Sequence, residues 1–320
     1  MLDHRFCIAP MMDWTDRHDR VFLRLFTTRA LLYTEMVTSA ALEHGDANYL
    51  LKHHASEHPV ALQLGGSNPK ELAKAAELGE QACFDEINLN VGCPSDRVQS
   101  GKFGASLMAD PQIVSNCVSA IKQSTRLPVT VKCRIGVDDK DTHADLVNFI
   151  NVVATGGCEL FVIHARKAYL QGLSPKENRE IPPLNYERVF AVKQEFPELN
   201  FIINGGITSI NEALSLLEKM DGVMIGREAY NNPYFLREVD NRIFGDLTSE
   251  KSRTDYLYQY LPYIESQLTD GASLHHMTRH LMGLFKGQKG GKLYRRHLSE
   301  YSHKKEASIN VLLDAIAYVE

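Results

Sequence analysis

Cys93 stands between Gly92 and Pro94, which fixes a thiol on a stiff turn. A thiol so placed serves as a nucleophile, as a general acid, or as an inert buried group. No Ser/His/Asp order accompanies it, so acyl transfer has no support. Lys132 lies inside the apolar run Val129–Ile135. A buried ammonium is costly without an anion, and two readings stay open. One is an ion pair with a core carboxylate, Glu86 or Glu35. The other is contact with an electron-rich cofactor ring. His164, two residues before Arg166, is either a satisfied core histidine or part of a site. Asn204-Gly205-Gly206 and Gly226-Arg227 are glycine turns that let a phosphate approach backbone N–H groups. The plain alternative for each is a tight turn. Together, and with Arg227 as a fixed cation, they favour phosphate.

These residues share a location. Eight short apolar runs are predicted as strands: Arg5–Ala9, Ala30–Met36, Pro59–Leu64, Glu86–Val91, Val129–Arg134, Leu160–His164, Phe201–Asn204 and Val223–Gly226. Most are apolar on both faces, as strands in a buried parallel sheet are. Amphipathic segments separate them. Asn68-Pro69 and Asp110-Pro111 each start a helix with a capping side chain and a first-turn proline. Eight such units over some 225 residues match an α/β fold, the (β/α)8 TIM barrel. A doubly wound sheet would carry Gly-x-Gly-x-x-Gly after its first strand, and Ala9-Pro10-Met11-Met12 stands there instead. Pro10, Met11 and Met12, then Gln63, Asn90 with Cys93, Lys132, His164 with Arg166, Asn204–Gly206 and Gly226-Arg227 all fall at or near strand C-termini. In this barrel that rim is the active-site face.

The 44% apolar and 23% charged composition is that of a folded globular chain. A net charge of -5 means that any polyanion site must be a local patch. Neither a signal-peptide apolar region nor a membrane span is apparent in the sequence. Cys7, Cys83, Cys93, Cys117, Cys133 and Cys158 show no metal-ligand spacing, which argues against zinc or an iron–sulfur cluster. They point to a reducing, cytoplasmic setting. Beyond Asp240 the strand pattern stops, and helices are expected over 250–268, 272–285, 294–303 and 306–319. The expected division is a catalytic barrel over 1–240 and a small all-helical domain over 241–320.

The motif Asn88-Leu89-Asn90-Val91-Gly92-Cys93-Pro94 resembles the signature of the tRNA-dihydrouridine synthase family. Ala9-Pro10-Met11-Met12-Asp13, Gln63-Leu64-Gly65-Gly66, Val131-Lys132-Cys133-Arg134, His164-Ala165-Arg166 and Asn204-Gly205-Gly206-Ile207 follow in family order. Gly172–Arg179, Ile181–Leu184, Gly287-Gln288 and Arg295–Leu298 look like the A subfamily, which implies uridines 20 and 20a of the tRNA D-loop. The resemblance implies non-covalent FMN, NADPH as reductant and tRNA as substrate, with no protein partner and a monomer expected. It places Pro10, Met11, Met12, Gln63, Lys132, His164, Asn204, Gly205, Gly206, Gly226 and Arg227 on flavin-contact positions and Cys93 on the catalytic acid. Asn90, Asn178, Arg179, Arg295 and Arg296 fall on or near RNA-contact positions, and Arg166 is assigned there too. The implied reaction delivers a hydride from flavin N5 to uracil C6 and a proton from Cys93 to C5.

Between Arg279 and Lys305 eight Lys/Arg face one acid, Glu300. A charge run is usually a solvated helix face. Here Gly287–Gly291 reads as a flexible break, and Tyr294, His297 and Tyr301 as stacking or hydrogen-bonding groups, so the segment is expected to grip the tRNA backbone. Two other readings remain: an FMN barrel acting on a free pyrimidine, similar to dihydroorotate dehydrogenase, and a flavin-free RNA-binding barrel.

Overall fold

The computed structural model describes residues 2–95, 101–247 and 249–320. Its parallel strands run β1 (Phe6–Ile8), β2 (Leu31–Tyr33), β3 (Val37–Thr38), β4 (Val60–Gly65), β5 (Glu86–Val91), β6 (Val129–Arg134), β7 (Leu160–His164), β8 (Asn200–Asn204) and β9 (Gly222–Ile225). β9 returns to β1, and β2 pairs with β4, so eight strands close into a (β/α)8 barrel. β3 only extends the end of β4 (Val37 opposite Leu64). The sequence predicts one strand over 30–36 where β2 and β3 stand apart. The cause is Thr34, whose hydroxyl accepts from Gln63 N at 3.0 Å and donates to Glu35 O at 2.7 Å. A side chain thus takes a bond from the backbone ladder.

Helices cover the barrel, including Pro69–Gln81 and Pro111–Ser124. Asn68 and Asp110 cap these two as the sequence predicts, accepting from Lys70 N and Ile113 N. Alternation along each strand separates two interiors. Ile87, Leu89, Val91, Val131, Cys133, Phe161, Ile163 and Ile203 pack outward against the helices. Inside the barrel Cys7, Leu31, Tyr33, Ala61, Leu160, Val162, Ile202 and Met224 form a smaller cluster.

The C-terminal part is helical: Arg253–Thr269, Leu274–Thr278 continued by a tighter turn over Arg279–Gly283, Gly291–Tyr301 and Asn310–Ile316. It packs on the first helix of the barrel. Phe26 stacks on Tyr256 at 4.1 Å, and Tyr260 OH donates to His18 O at 2.7 Å. Helix Val239–Arg242 spans the boundary expected at 240/241, and Asp240 accepts from Thr28 N and Thr28 Oγ1 of the barrel. Among the described residues no helix is long and apolar enough to cross a membrane.

Candidate active site

The turn that carries Cys93 is held from both sides. Asn90 Oδ1 accepts from Gly92 N at 3.1 Å and Cys93 N at 3.0 Å. Arg134 Nε donates to Gly92 O at 2.8 Å, and Ala105 N to Cys93 O at 2.9 Å. The thiol is half-buried, 3.5 Å from Ser95 Oγ. Asn90, Arg134 and Ala105 all hold this turn through its backbone, so the Cys93 thiol is not what fixes it. The segment that follows, Ser95–Ser106, lies partly outside the described residues.

Lys132 projects inward, between Val131 and Cys133 of the outer core. Its Nζ donates to Asn204 Oδ1 at 3.1 Å, and Asn204 Nδ2 in turn donates to Met224 O at 2.7 Å. Among the described residues no carboxylate pairs with Lys132. Glu86 is engaged by His4, Tyr33 and Thr130, and Glu35 by Asp13 N. This removes the structural ion pair that the sequence left open. Burial first, then the Arg134 charge, lowers the Lys132 pKa to about 8. A half-buried cation without a counter-ion among the described residues calls for an anionic or electron-rich ligand.

Register sets His164 beside Arg134 and Asn204. Burial, then Arg134, Lys132, Arg166 and Arg179, holds its pKa well below the usual histidine value, which favours the neutral ring. The ring lies over Gly205: a Cβ there would meet His164 Cδ2 at 2.7 Å. Gly205 and Gly206 have φ of +117° and +75°, which only glycine adopts without strain. Tyr186 OH donates to Gly205 O and steadies this turn. Gly226 lies next to Met11, whose Sδ would be 3.4 Å from a Cβ on it. Met11 N is held by Thr15 Oγ1 at 2.9 Å, and Met12 is exposed. The structure therefore brings the ends of β1, β6, β7, β8 and β9 to one mouth.

Arg166, Arg179 and Arg227 complete its rim. Arg227 Nη1 pairs with Glu180 Oε1 at 2.7 Å, and Arg166 Nη1 donates to Pro182 O. Both ties hold the 177–184 segment against rim residues. Arg166, Arg179 and Arg134 each have a lowered pKa, from burial first and then from neighbouring arginines. Asn178 is placed differently from the sequence expectation of RNA contact. It is fully buried, accepts from Tyr169 N at 2.8 Å and donates to Tyr169 O at 2.9 Å. Its polarity serves the loop backbone that carries Arg179. Tyr186 and Glu180 carry no signal for the site in the sequence, whereas Arg134 does, as the second cation on the strand that carries Lys132.

The C-terminal basic segment also needs corrections. Arg279 pairs with Asp16 at 2.5 Å and ties the helices to the barrel. Tyr294 is fully buried against Phe285 and is unavailable for stacking on RNA. Gly287–Gly291 is not simply a flexible break: a Cβ on Gly290 would lie 1.7 Å from Tyr318 O, and one on Gly291 2.1 Å from Phe285 O. Lys286, Lys289, Lys292, Arg296, Lys304 and Lys305 are exposed, and Arg295 is half-buried. Arg296 bonds Glu300 at 2.7 Å, and His297 packs on Tyr301 with centroids 4.7 Å apart.

Fold and site together define a barrel with a cation-lined mouth and one poised thiol. The family model for dihydrouridine synthase matches residues 7–319. The tRNA-dihydrouridine(20/20a) synthase of Vibrio parahaemolyticus is 55% identical over 316 residues, covering 98% of this chain and 97% of that protein. The enzyme of the same name from Escherichia coli strain K12 is 56% identical, covering 98% of this chain and 91% of that protein. The chain belongs to the dihydrouridine synthase family.

Proposed function

We propose that the protein reduces uridine to 5,6-dihydrouridine at positions 20 and 20a of the tRNA D-loop, with FMN as cofactor and NADPH as reductant. One observation carries the reading. Lys132, Arg134, His164, Arg166, Arg179 and Arg227 ring the mouth beside Cys93, and Glu180 is the one carboxylate bonded to any of them among the described residues. In a chain of net charge -5 this is a strong local excess of cation. It suits a phosphorylated cofactor and an RNA, and the positions support the names of the curated relatives.

The residues present fit FMN. Gly205, Gly206, Gly226 and Arg227 would take its phosphate, and Pro10, Met11, Met12, Gln63, Lys132, His164 and Asn204 would surround its ring. Bound and reduced, the flavin supplies hydride chemistry at uracil C6. The rest falls to this chain. Cys93 Sγ holds the proton that goes to C5. Asn90, Lys132 and Arg166 offer donors for the negative charge that develops on the uracil carbonyl. The rim segment 177–184 narrows the mouth, so the target base must leave its stack to enter.

Lys132 gives a pH signature. Its pKa in the free protein is about 8, below the ordinary lysine value. A ligand that favours the ammonium raises that value, so above about pH 8 binding must take up a proton. FMN affinity is expected to fall as pH rises through this range, and to lose that dependence in Lys132→Met. Calorimetric titration of apoprotein at several pH values reads it; an unchanged affinity across the range in wild type contradicts the placement.

Grip on the RNA backbone is assigned to the cations from Lys286 to Lys305, the half-buried Arg295 and the exposed Arg296 among them. Affinity for tRNA is expected to fall steeply with salt, with a slope of about 0.7–0.9 per phosphate neutralised. Arg295→Glu with Arg296→Glu should raise the tRNA KM while sparing NADPH oxidation. Insensitivity to both salt and double reversal would place the RNA elsewhere.

The function itself is tested by absorbance. Protein loaded with FMN should bleach with NADPH, and unmodified tRNA should restore the oxidised spectrum faster than free uridine does. Reoxidation by a free pyrimidine alone would favour the small-molecule reductase.

A further inference from the structure

β5 has an unusual inner face. Glu86, Asn88 and Asn90 alternate with Ile87, Leu89 and Val91, so three polar side chains in a row point into the barrel. The inner face elsewhere is apolar at Leu31, Ala61, Leu160, Val162, Ile202 and Met224. Polar groups in such an interior are costly unless each is hydrogen-bonded. Here they form one continuous chain.

The chain starts at Glu86, near the N-terminal end of the barrel and fully buried. Its Oε1 accepts from Thr130 Oγ1 at 2.6 Å and from Tyr33 OH at 2.8 Å; Oε2 lies 2.5 Å from His4 Nε2. Asn88 Nδ2 donates to Thr130 Oγ1 at 2.8 Å. Gln63 Nε2 donates to Asn88 Oδ1 at 2.7 Å, and Asn90 Nδ2 to Gln63 Oε1 at 2.8 Å. Asn90 Oδ1 then takes the N–H groups of Gly92 and Cys93. From the rim down, every donor points toward Glu86. The two ends fix that direction: Tyr33 OH and Thr130 Oγ1 both donate to Glu86 Oε1, and backbone N–H groups only donate. An Asn90 amide turned around would set its NH2 against two N–H donors.

We infer that Glu86 is a positioning residue, acting through Thr130, Asn88 and Gln63 to lock the Asn90 amide and with it the Cys93 turn. It touches neither substrate nor cofactor. Donors and acceptors arranged head to tail polarise one another, so the link at Thr130 bears on the rim even though it lies level with Asn88, one inward-facing layer below Asn90. The same chain orients Gln63, one of the residues assigned to the flavin ring. What the turn does in catalysis rests on the uridine-reductase reading; the hydrogen-bonded chain does not.

Thr130 is the point at which the chain can be cut with little change in shape. In Thr130→Val the methyl replaces the hydroxyl, and Asn88 Nδ2 loses its acceptor. Alkylation of Cys93 by iodoacetamide in apoprotein, followed by peptide mass analysis, should change by about 10-fold when the turn is freed. Thr130→Ser should restore the wild-type rate, which a loss of packing alone would not predict. In the loaded enzyme Thr130→Val should lower kcat for tRNA with KM unchanged. Should Thr130→Val fail to fold, Asn88→Leu provides the second cut: it removes the amide that joins Gln63 Nε2 to Thr130 Oγ1, and its effect on Cys93 should have the same sign. Wild-type alkylation in a folded Thr130→Val or Asn88→Leu protein overturns the inference. Failure of wild type to make dihydrouridine would instead sink the functional reading, leaving the alkylation result to stand on its own.

Discussion

Cys93→Ala is expected to slow dihydrouridine formation by about 10²–10⁴-fold while NADPH-driven flavin reduction keeps its wild-type rate. The structure gives the reason for the split. The turn is fixed by Asn90 and Arg134 through backbone atoms, and Ala105 N binds Cys93 O. Alanine preserves all of these bonds and removes only Sγ. Hydride delivery to the flavin needs no proton from this position, whereas saturation of uracil C5 does. Stopped-flow absorbance follows the first half-reaction, and nucleoside mass analysis the second. Equal losses in both halves would show that the thiol supports the site structurally.

Lys132→Met is expected to lower uridine reduction by about 10²–10³-fold, the scale on which one charge-stabilising donor acts. The fold should survive. Lys132 has no carboxylate partner among the described residues and one hydrogen bond, to Asn204 at 3.1 Å. Exchanging a half-buried cation that has no carboxylate partner for a thioether of similar length relieves desolvation rather than breaking a pair. The melting temperature should therefore stay the same or rise. A large loss of stability would mean that Lys132 serves the core.

The sequence carried the barrel because its strands are apolar on both faces and its odd residues recur at strand ends. Asn68-Pro69 and Asp110-Pro111 announced their helices through local chemistry alone, and local chemistry is what a single sequence displays. What it missed depends on distant partners. Thr34 splits β2 from β3 by bonding Gln63. Arg279 looks like a free cation until the fold brings Asp16 to it across 263 positions. Asn178 has the residue type of an RNA contact, but type does not reveal that its amide closes the loop beneath Arg179. Gly290 reads as a hinge, yet the approach of Tyr318 demands a glycine there. The polar alternation Glu86, Asn88, Asn90 was visible throughout. Its direction needed the closed barrel, since Gln63 and Thr130 come from the two flanking strands.

The most direct test of the whole account is mass analysis of nucleosides from D-loop fragments of unmodified tRNA treated with this protein, FMN and NADPH. The fragment holding positions 20 and 20a is expected to gain the mass of two hydrogens per modified uridine, and to lose that gain without FMN or in Cys93→Ala. An unchanged D-loop fragment after treatment with flavin-loaded, NADPH-oxidising protein would contradict this expectation.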